Sequence, residues 1–434
     1  MKHLHATKSI CPVCARQLDA AIVQKGDDVY LEKTCPDHGP FSALIWRGGG
    51  VPYTAWGSER PADIPPDCPN SCGLCPGHGQ DTCCILVEVT SRCNLHCPFC
   101  FADGGAVLKG DPPLEELSKT FRALVEKNLT FIQLSGGEPT VRDDLPAIVA
   151  AAKAAGTTSI QLNTNGLRLA REPDFTRRLA EAGLTFVFLQ FDSTDPAVTQ
   201  TLRGADLQSD KFAAVDICGQ YGLGVTLVPT IMPGQNDGQI GDLIRYAISK
   251  SPVVRGVHFQ PVSYFGRCPH PPQDADRYTL PDLLSAIETQ TDGMVTLQDI
   301  SPSCCDHPRC GFHSDYIVLP DGLLSLNPHK KSAGKAGQKT SALSNRCYIA
   351  RRWKRDPESE RFVAQAETLD MKDMSTFLAM GKSNMFTLTA MAFQDRWNLD
   401  LERLNSCSLH VWEHGRIVPF CARYITAESY SAEM

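Results

Sequence analysis

The 434-residue sequence lacks any stretch approaching about 18 uncharged apolar residues, so no membrane-spanning helix is expected. Its opening residues, MKHLHATKSICPVC, have no apolar core of the kind a secretory signal needs. Positive charge is not in excess either: the formal net charge is -7 and the pI is near 6.0. A polyanion finds no global attraction, and nucleic acid is not an expected partner. Internal repeats are missing, apart from an alternation of strand-like and helix-like segments. With 42% hydrophobic and 21% charged residues the composition excludes wholesale disorder. A cytoplasmic, non-spanning protein is expected.

What the chain has in quantity is cysteine, nineteen in all. Without an export signal these read as metal ligands rather than disulfides. They are grouped at 11, 14 and 35; at 68, 72, 75, 83 and 84; at 93, 97 and 100; at 304, 305 and 310; and at 407 and 421. Only Cys218, Cys268 and Cys347 stand alone.

From residue 85 onward, apolar runs of strand length alternate with segments of helical period. Strands are expected at 85–90, 130–135, 159–163, 185–192, 224–231 and 256–261, and helices at 114–127, 144–155, 175–182, 209–221 and 239–249. Parallel strands with right-handed crossovers make this an α/β fold, a partial (β/α)6 barrel over residues 85–262. A zinc-ribbon or rubredoxin-like module (1–50) and a second Cys-rich module (51–84) precede it. An irregular, Cys-bearing C-terminal cap (263–434) follows. Chemistry in such barrels gathers at the C-terminal ends of the strands.

SRCNLHCPFCFA follows the first strand and places Cys93, Cys97 and Cys100 in a C-x3-C-x2-C pattern. Three thiolates bind three irons of a cubane and leave the fourth iron open. Structural zinc is the plainer alternative, but zinc prefers four protein ligands. The spacing resembles the radical S-adenosylmethionine (SAM) superfamily. That resemblance implies a [4Fe-4S] cluster whose open iron chelates SAM, and electron transfer that yields a 5′-deoxyadenosyl radical. In the same resemblance Phe99 flanks the adenine.

LSGGEPT follows the second strand; alone, a Gly-Gly-Glu is an ordinary turn, but its place here suits SAM. Gly136 and Gly137 let backbone approach the methionyl group, Glu138 receives its ammonium, and Pro139 completes the motif. LNTNG offers Asn163 and Asn165 to the ribose hydroxyls, or merely closes a turn. LQFDS offers Gln190 and Asp192 at the same rim.

CPNSCGLCPGHGQDTC supplies Cys68, Cys72, Cys75 and Cys83, a four-thiol set for an auxiliary [4Fe-4S] cluster or a zinc. Cys84 is the alternative fourth ligand. CPVC and CPDHG bring Cys11, Cys14, Cys35 and His38 to one mononuclear metal, zinc or iron. CCDHPRC with the distant pair Cys407 and Cys421 suggests a second auxiliary cluster on Cys305, Cys310, Cys407 and Cys421, against the alternative of free buried thiols. SLHVWEHGRIVPF reads as a hairpin bringing Cys407 and Cys421 to one end. Between Lys330 and Arg355 lie nine Lys or Arg and no acid, a stretch that reads as an exposed loop. Solvent, a phosphorylated substrate or the anionic face of a membrane would meet it, making the protein peripheral to the membrane in the last case.

The whole plan resembles the archaeal tetraether lipid synthase group, whose relatives include a dihydro-hydroxymethylpterin methyltransferase. CPVC, TCPDHG, CPNSCGLC, EVTSRCNLHCPFCFA, PHPPQDADR, CCDHPRCG and MAFQDRWNLDLERLNSCSLHVWEHGRIVPFC carry it. The resemblance implies two auxiliary clusters and hydrogen abstraction from an unactivated carbon. Three activities follow as hypotheses: carbon–carbon bond formation on a lipid alkyl chain, methylation of a pterin or other heterocycle, and a non-catalytic iron-sulfur or zinc scaffold. An enzyme of this kind needs a low-potential electron donor such as ferredoxin or flavodoxin, and a small-molecule or lipid substrate.

Overall fold

A computed structural model describes the chain except residues 71, 106–109, 269, 328–341, 367–369 and 427–434. The first 46 residues form a four-stranded antiparallel meander: β1 (Lys2–Ile10), β2 (Gln17–Lys25), β3 (Asp28–Cys35) and β4 (Gly39–Trp46). Alternation along β2 and β3 buries Ile22, Val29 and Leu31 on one face, the half-buried pattern of an antiparallel sheet.

The barrel begins at β5 (Cys84–Thr90) and continues through β6 (Phe131–Gly136), β7 (Ser159–Thr164), β8 (Phe186–Gln190), β9 (Gly224–Val228), β10 (Thr230–Ile231) and β11 (Val254–Pro261). The neighbours β5-β6-β7-β8-β9-β11 are all parallel. Helices α1 (Leu114–Glu126), α2 (Leu145–Ala154), α3 (Leu167–Arg171), α4 (Pro173–Ala182), α5 (Pro196–Arg203), α6 (Gln208–Gln220) and α7 (Ile240–Ser249) connect them. Each presents an apolar stripe to the sheet; α1, for example, buries Leu117, Phe121 and Leu124 at helical spacing. The partial (β/α)6 barrel expected from the sequence is present.

The C-terminal region is not irregular, as the sequence suggested. After α8 (Leu280–Gln290) come β12 (Ser301–Pro302), β13 (Gly311–Leu319), β14 (Gly322–Ser325), α9 (Ala342–Trp353), α10 (Pro357–Gln365), α11 (Met374–Ser383), β15 (Met385–Met391), α12 (Leu401–Asn405), β16 (Leu409–Glu413), β17 (Arg416–Pro419) and α13 (Phe420–Thr426). Strand β15 pairs parallel with β11, and β13 pairs antiparallel with β15. At the other edge β16 pairs parallel with β5. One 13-stranded sheet results, with the cap extending the barrel on both sides and leaving neither β5 nor β11 as a bare edge. The β16–β17 hairpin turns on His414 and Gly415, both at positive φ as a two-residue type I′ turn requires.

The basic stretch also departs from expectation. Its first part, 330–341, lies outside the described residues, and from Ala342 to Trp353 it is helix α9 rather than an exposed loop. Arg346 donates to the Asn128 carbonyl and Trp353 is buried, because the open base of the barrel supplies an apolar seat for this helix. No described helix is long and apolar enough to cross a membrane.

Candidate functional site

A cavity of about 490 Å3 runs from the C-terminal ends of the barrel strands to α9. The volume falls within the roughly 300–1,000 Å3 of small-molecule sites. Cys93, Cys97 and Cys100, on the loop after β5, all line it, as do Phe99, Gly136, Gly137 and Glu138. Cys100 and Arg267 exchange two backbone hydrogen bonds of 3.0 and 2.9 Å, which pin this loop to the segment after β11. Burial pushes the Cys93 thiol up to about 11, so the bare thiol is protonated at pH 7 and would give up its proton on ligating a metal.

The glycines after β6 are there for space. Gly137 donates to the Thr90 carbonyl and Glu138 to that of Arg92, both at 2.8 Å. A Cβ on Gly136, at φ +126, would stand 2.1 Å from the Thr90 oxygen, and one on Gly137 would stand 2.2 Å from that of Arg92. This close approach holds Glu138 beside the three-cysteine loop. Its Oε1 accepts from the Thr140 amide and from the Thr140 and Thr164 hydroxyls, and its Oε2 accepts from the Asn165 amide at 2.6 Å. Among the described residues Oε2 has no second partner, which leaves one lone pair for an ammonium. Pro139 does not line the cavity; it is buried at the start of a short 3-10 turn that sets Glu138.

Asn163, Asn165 and Gln190 line the cavity. Asp192 does not. It is fully buried, with Oδ1 accepting from Arg203 and the Thr230 amide and Oδ2 from Arg203 and Gln190. Past the end of β8 the chain turns inward, so the carboxylate lies behind the rim and the residue it holds, Arg203, faces the cavity. The Arg203 guanidinium also lies close enough to Cys97 for the two charges to interact. Lys211 lies behind it, bonded to the Asn165 carbonyl and Gln190, and burial lowers it to about 8. Sequence reading missed both cations. Their one signal is a basic residue on a buried helical stripe, with Val198 and Leu202 in α5 and with Ala214, Val215 and Cys218 in α6.

Cys11, Cys14, Cys35 and His38 bring their ligand atoms within 4.8 Å of one another. The separations are 3.9 Å for Cys14–Cys35, 3.7 Å for Cys11–His38 and 3.4 Å for Cys35–His38. Zn–S and Zn–N bonds of about 2.3 and 2.0 Å give tetrahedral edges of roughly 3.5–3.8 Å, so the set fits one closed mononuclear site. Burial works to raise the Cys35 thiol, but hydrogen bonds from His38 and the backbone of Asp37 and His38 bring it down to about 6.

The two expected four-thiol sets are divided differently. Cys68 and Cys72 lie beside each other with Cys75 nearby. Cys83 instead takes a bond from Asn345 and lies against Cys305, and both line the large cavity. The β5–β16 pairing is the cause: it ties the Cys83 amide to the Ser408 carbonyl, while the Ser408 hydroxyl meets the Cys305 sulfur at 3.1 Å. Cys310, Cys407 and Cys421 line a separate small cavity with Asp306 and Arg403, whose Nη2 lies 3.6 Å from the Cys310 sulfur. Cys83 thus leaves the first expected set and Cys305 the second.

The deeper cavity has aromatic walls. Phe188 and Trp353 meet at 4.7 Å between ring centroids, and Phe188 and His258 at 5.5 Å. His258 is bonded to Thr389 at 2.8 Å, and burial lowers its imidazole to about 4, leaving it neutral at pH 7.

The sequence matches the radical SAM superfamily over residues 87–247 and the HMPTM N-terminal zinc ribbon domain over residues 3–47. It is 30% identical to a 7,8-dihydro-6-hydroxymethylpterin dimethyltransferase of Methanocaldococcus jannaschii, covering 96% of this chain and 92% of that one. It is 29% identical to a GTP 3′,8-cyclase of Nitrobacter hamburgensis, over 52% of this chain and 64% of the relative. Among solved structures it is similar to Streptococcus suis SuiB bound to S-adenosylmethionine, at 17% identity and a TM-score of 0.42, covering 50% of this chain and 48% of that one.

Proposed function

As a member of the radical SAM superfamily the chain is an enzyme that works with SAM and a [4Fe-4S] cluster, and we propose that its substrate is a dihydropterin-like heterocycle methylated at a saturated carbon. The observation that carries this reading is the cavity interior: aromatic walls interrupted by amide and imidazole groups, with Gln133, Gln161 and His258 all facing inward. Such lining suits a flat ring with hydrogen-bonding edges. A saturated lipid chain in the same place would leave those buried polar groups without partners, each at about 1–3 kcal/mol. The pterin reading is therefore preferred to the lipid reading. A methylated carbon is itself a new carbon–carbon bond, so the broader expectation from sequence is kept.

When bound, the cluster and SAM supply a 5′-deoxyadenosyl radical able to take hydrogen from an unactivated carbon. In this reading Cys93, Cys97 and Cys100 hold the cluster. Glu138 receives the SAM ammonium, Asn163, Asn165 and Gln190 contact its polar groups, and Phe99 flanks the adenine. Arg203 holds positive charge beside Cys97 and offsets thiolate charge. Asp192 and Lys211 position these groups without reaching the cavity. Cys68, Cys72 and Cys75 in one place, and Cys310, Cys407 and Cys421 in another, belong to two auxiliary clusters. The N-terminal site holds structural zinc. Electrons come from a low-potential donor such as ferredoxin or flavodoxin.

The test is SAM cleavage. Anaerobically prepared protein with dithionite and SAM yields 5′-deoxyadenosine, and adding 7,8-dihydro-6-hydroxymethylpterin raises the yield. Replacing Cys93, Cys97 and Cys100 together with Ala abolishes it; cleavage retained by that variant would contradict the assignment.

A further inference from the structure

We propose that Gln133 and Gln161 form the recognition edge for the amino-oxo side of the substrate ring, with His258 opposite and Phe188 and Trp353 as the stacking wall. The inference rests on the heterocycle reading above and names the side chains that select the ring.

The strand register carries it. Gln133 on β6 and Gln161 on β7 are direct partners across a parallel pair. Both side chains face the cavity. Side chains two positions apart on a strand share a face, so Gln133 lies under Ser135, Gln161 under Asn163, Phe188 under Gln190 and His258 under Gln260. All eight line the cavity and fall into two layers about 6.6 Å apart. The upper layer adjoins the three-cysteine loop and Glu138. The lower one lies deeper in the cavity and ends on Trp353.

The lower layer has hydrogen-bonding capacity that the protein does not use. Gln133 is 8% exposed and Gln161 1%. Among the described residues Gln133 has one partner, the Cys84 thiol at 3.5 Å on Oε1. Gln161 has one, Asn163, to which it donates at 3.0 Å. His258 has Thr389 on Nδ1 alone. Buried amides normally find partners, so two adjacent carboxamides with two of their four groups open, the Gln133 amide nitrogen and the Gln161 carbonyl, mark a ligand contact. A lactam presents an N–H donor beside a carbonyl acceptor, and the open Gln133 amide nitrogen and Gln161 carbonyl, on residues opposite each other, offer the complementary donor and acceptor.

Orientation follows. A dihydropterin carries its amino-oxo edge on one ring and its saturated carbon on the far side of the other. With that edge on the lower layer, the bicycle spans the gap and presents the saturated carbon to the upper layer, where SAM would lie. Aromatic walls at Phe188 and Trp353 match the flat faces.

The experiment uses the anaerobic holoenzyme with SAM and reads binding through fluorescence or equilibrium dialysis. Two probes are compared: 7,8-dihydro-6-hydroxymethylpterin, and quinoxaline, a bicycle without the amino-oxo edge. Gln133→Met and Gln161→Met keep side-chain length and remove the amide. Each is expected to weaken the pterin about 10- to 100-fold while quinoxaline affinity stays within about twofold, which also shows that the variants fold. Pterin bound by the wild type and equally well by both variants overturns the recognition edge alone. A wild type that binds pterin no better than quinoxaline overturns the heterocycle reading and this inference with it. If both variants lose quinoxaline too, Gln133→Glu and Gln161→Glu replace them; unchanged pterin affinity in these acceptor-changed side chains overturns the proposal, and weakening supports it.

Discussion

Arg203 Nη2 stands 2.7 Å from Asp192 Oδ1, a buried ion pair whose carboxylate is fully enclosed and whose cation faces the cavity beside Cys97. Burial alone would raise the Asp192 carboxyl, but the Arg203 charge and hydrogen bonds hold it below the ordinary range. Asp192→Ala leaves that guanidinium buried without its counter-charge, and the expected loss is about 3–5 kcal/mol of unfolding free energy. Urea denaturation measures it; a loss under about 1 kcal/mol contradicts the role. Because the folded pKa is the lower one, the carboxylate's contribution is complete above about pH 4 and fades as pH falls through the folded value.

The N-terminal site makes a separate claim about metal. Its four ligand atoms span tetrahedral edges, so His38→Ala or Cys14→Ser is expected to release about one equivalent of zinc and leave the iron unchanged. Metal analysis by mass spectrometry decides. Loss of iron in place of zinc identifies a rubredoxin-type site instead.

Cys310, Cys407 and Cys421 share one small cavity. Cys407→Ser and Cys421→Ser are therefore expected to act alike, each lowering iron by about four per chain while SAM cleavage by the first cluster persists. Iron content unchanged in both variants shows that these thiols hold no cluster.

His258 lines the cavity with a folded pKa of about 4, set by burial. The unfolded imidazole takes its proton near pH 6.5 and the folded one does not, so stability falls as pH drops from 6.5 toward 4, by up to about 3 kcal/mol. His258→Gln removes that slope. Denaturation midpoints for wild type and variant between pH 4.5 and 7.5 measure it, and parallel curves contradict the assignment.

Much of the barrel was legible because its strands are continuous apolar runs and its helices bury regular stripes. The expected strands at 159–163 and 256–261 differ from β7 and β11 by one or two residues. The cap was not legible. Strands β13, β15 and β16 pair with partners far away in the chain, and nothing local in FTLTAM or LHVWE names β11 or β5 as neighbour. Helix α9 was hidden by its basic composition, although Trp353 anchors it in the barrel base. The cysteine groups were visible, but sequence proximity put Cys83 with Cys75 where strand pairing puts it with Cys305. Asp192 shows the same limit: a polar residue at a strand end is easily read, while the direction it faces depends on Arg203 and Thr230.

The central claim is that hydrogen leaves a carbon of a pterin-like ring. Its most direct test incubates the reduced holoenzyme with SAM and 7,8-dihydro-6-hydroxymethylpterin deuterated at its saturated ring carbon and hydroxymethyl carbon, and in parallel with a lipid bearing perdeuterated alkyl chains. Mass spectrometry then reads deuterium in the 5′-deoxyadenosine. The account predicts label from the pterin and none from the lipid. Label from the lipid alone, with unlabelled 5′-deoxyadenosine in the pterin reaction, contradicts it.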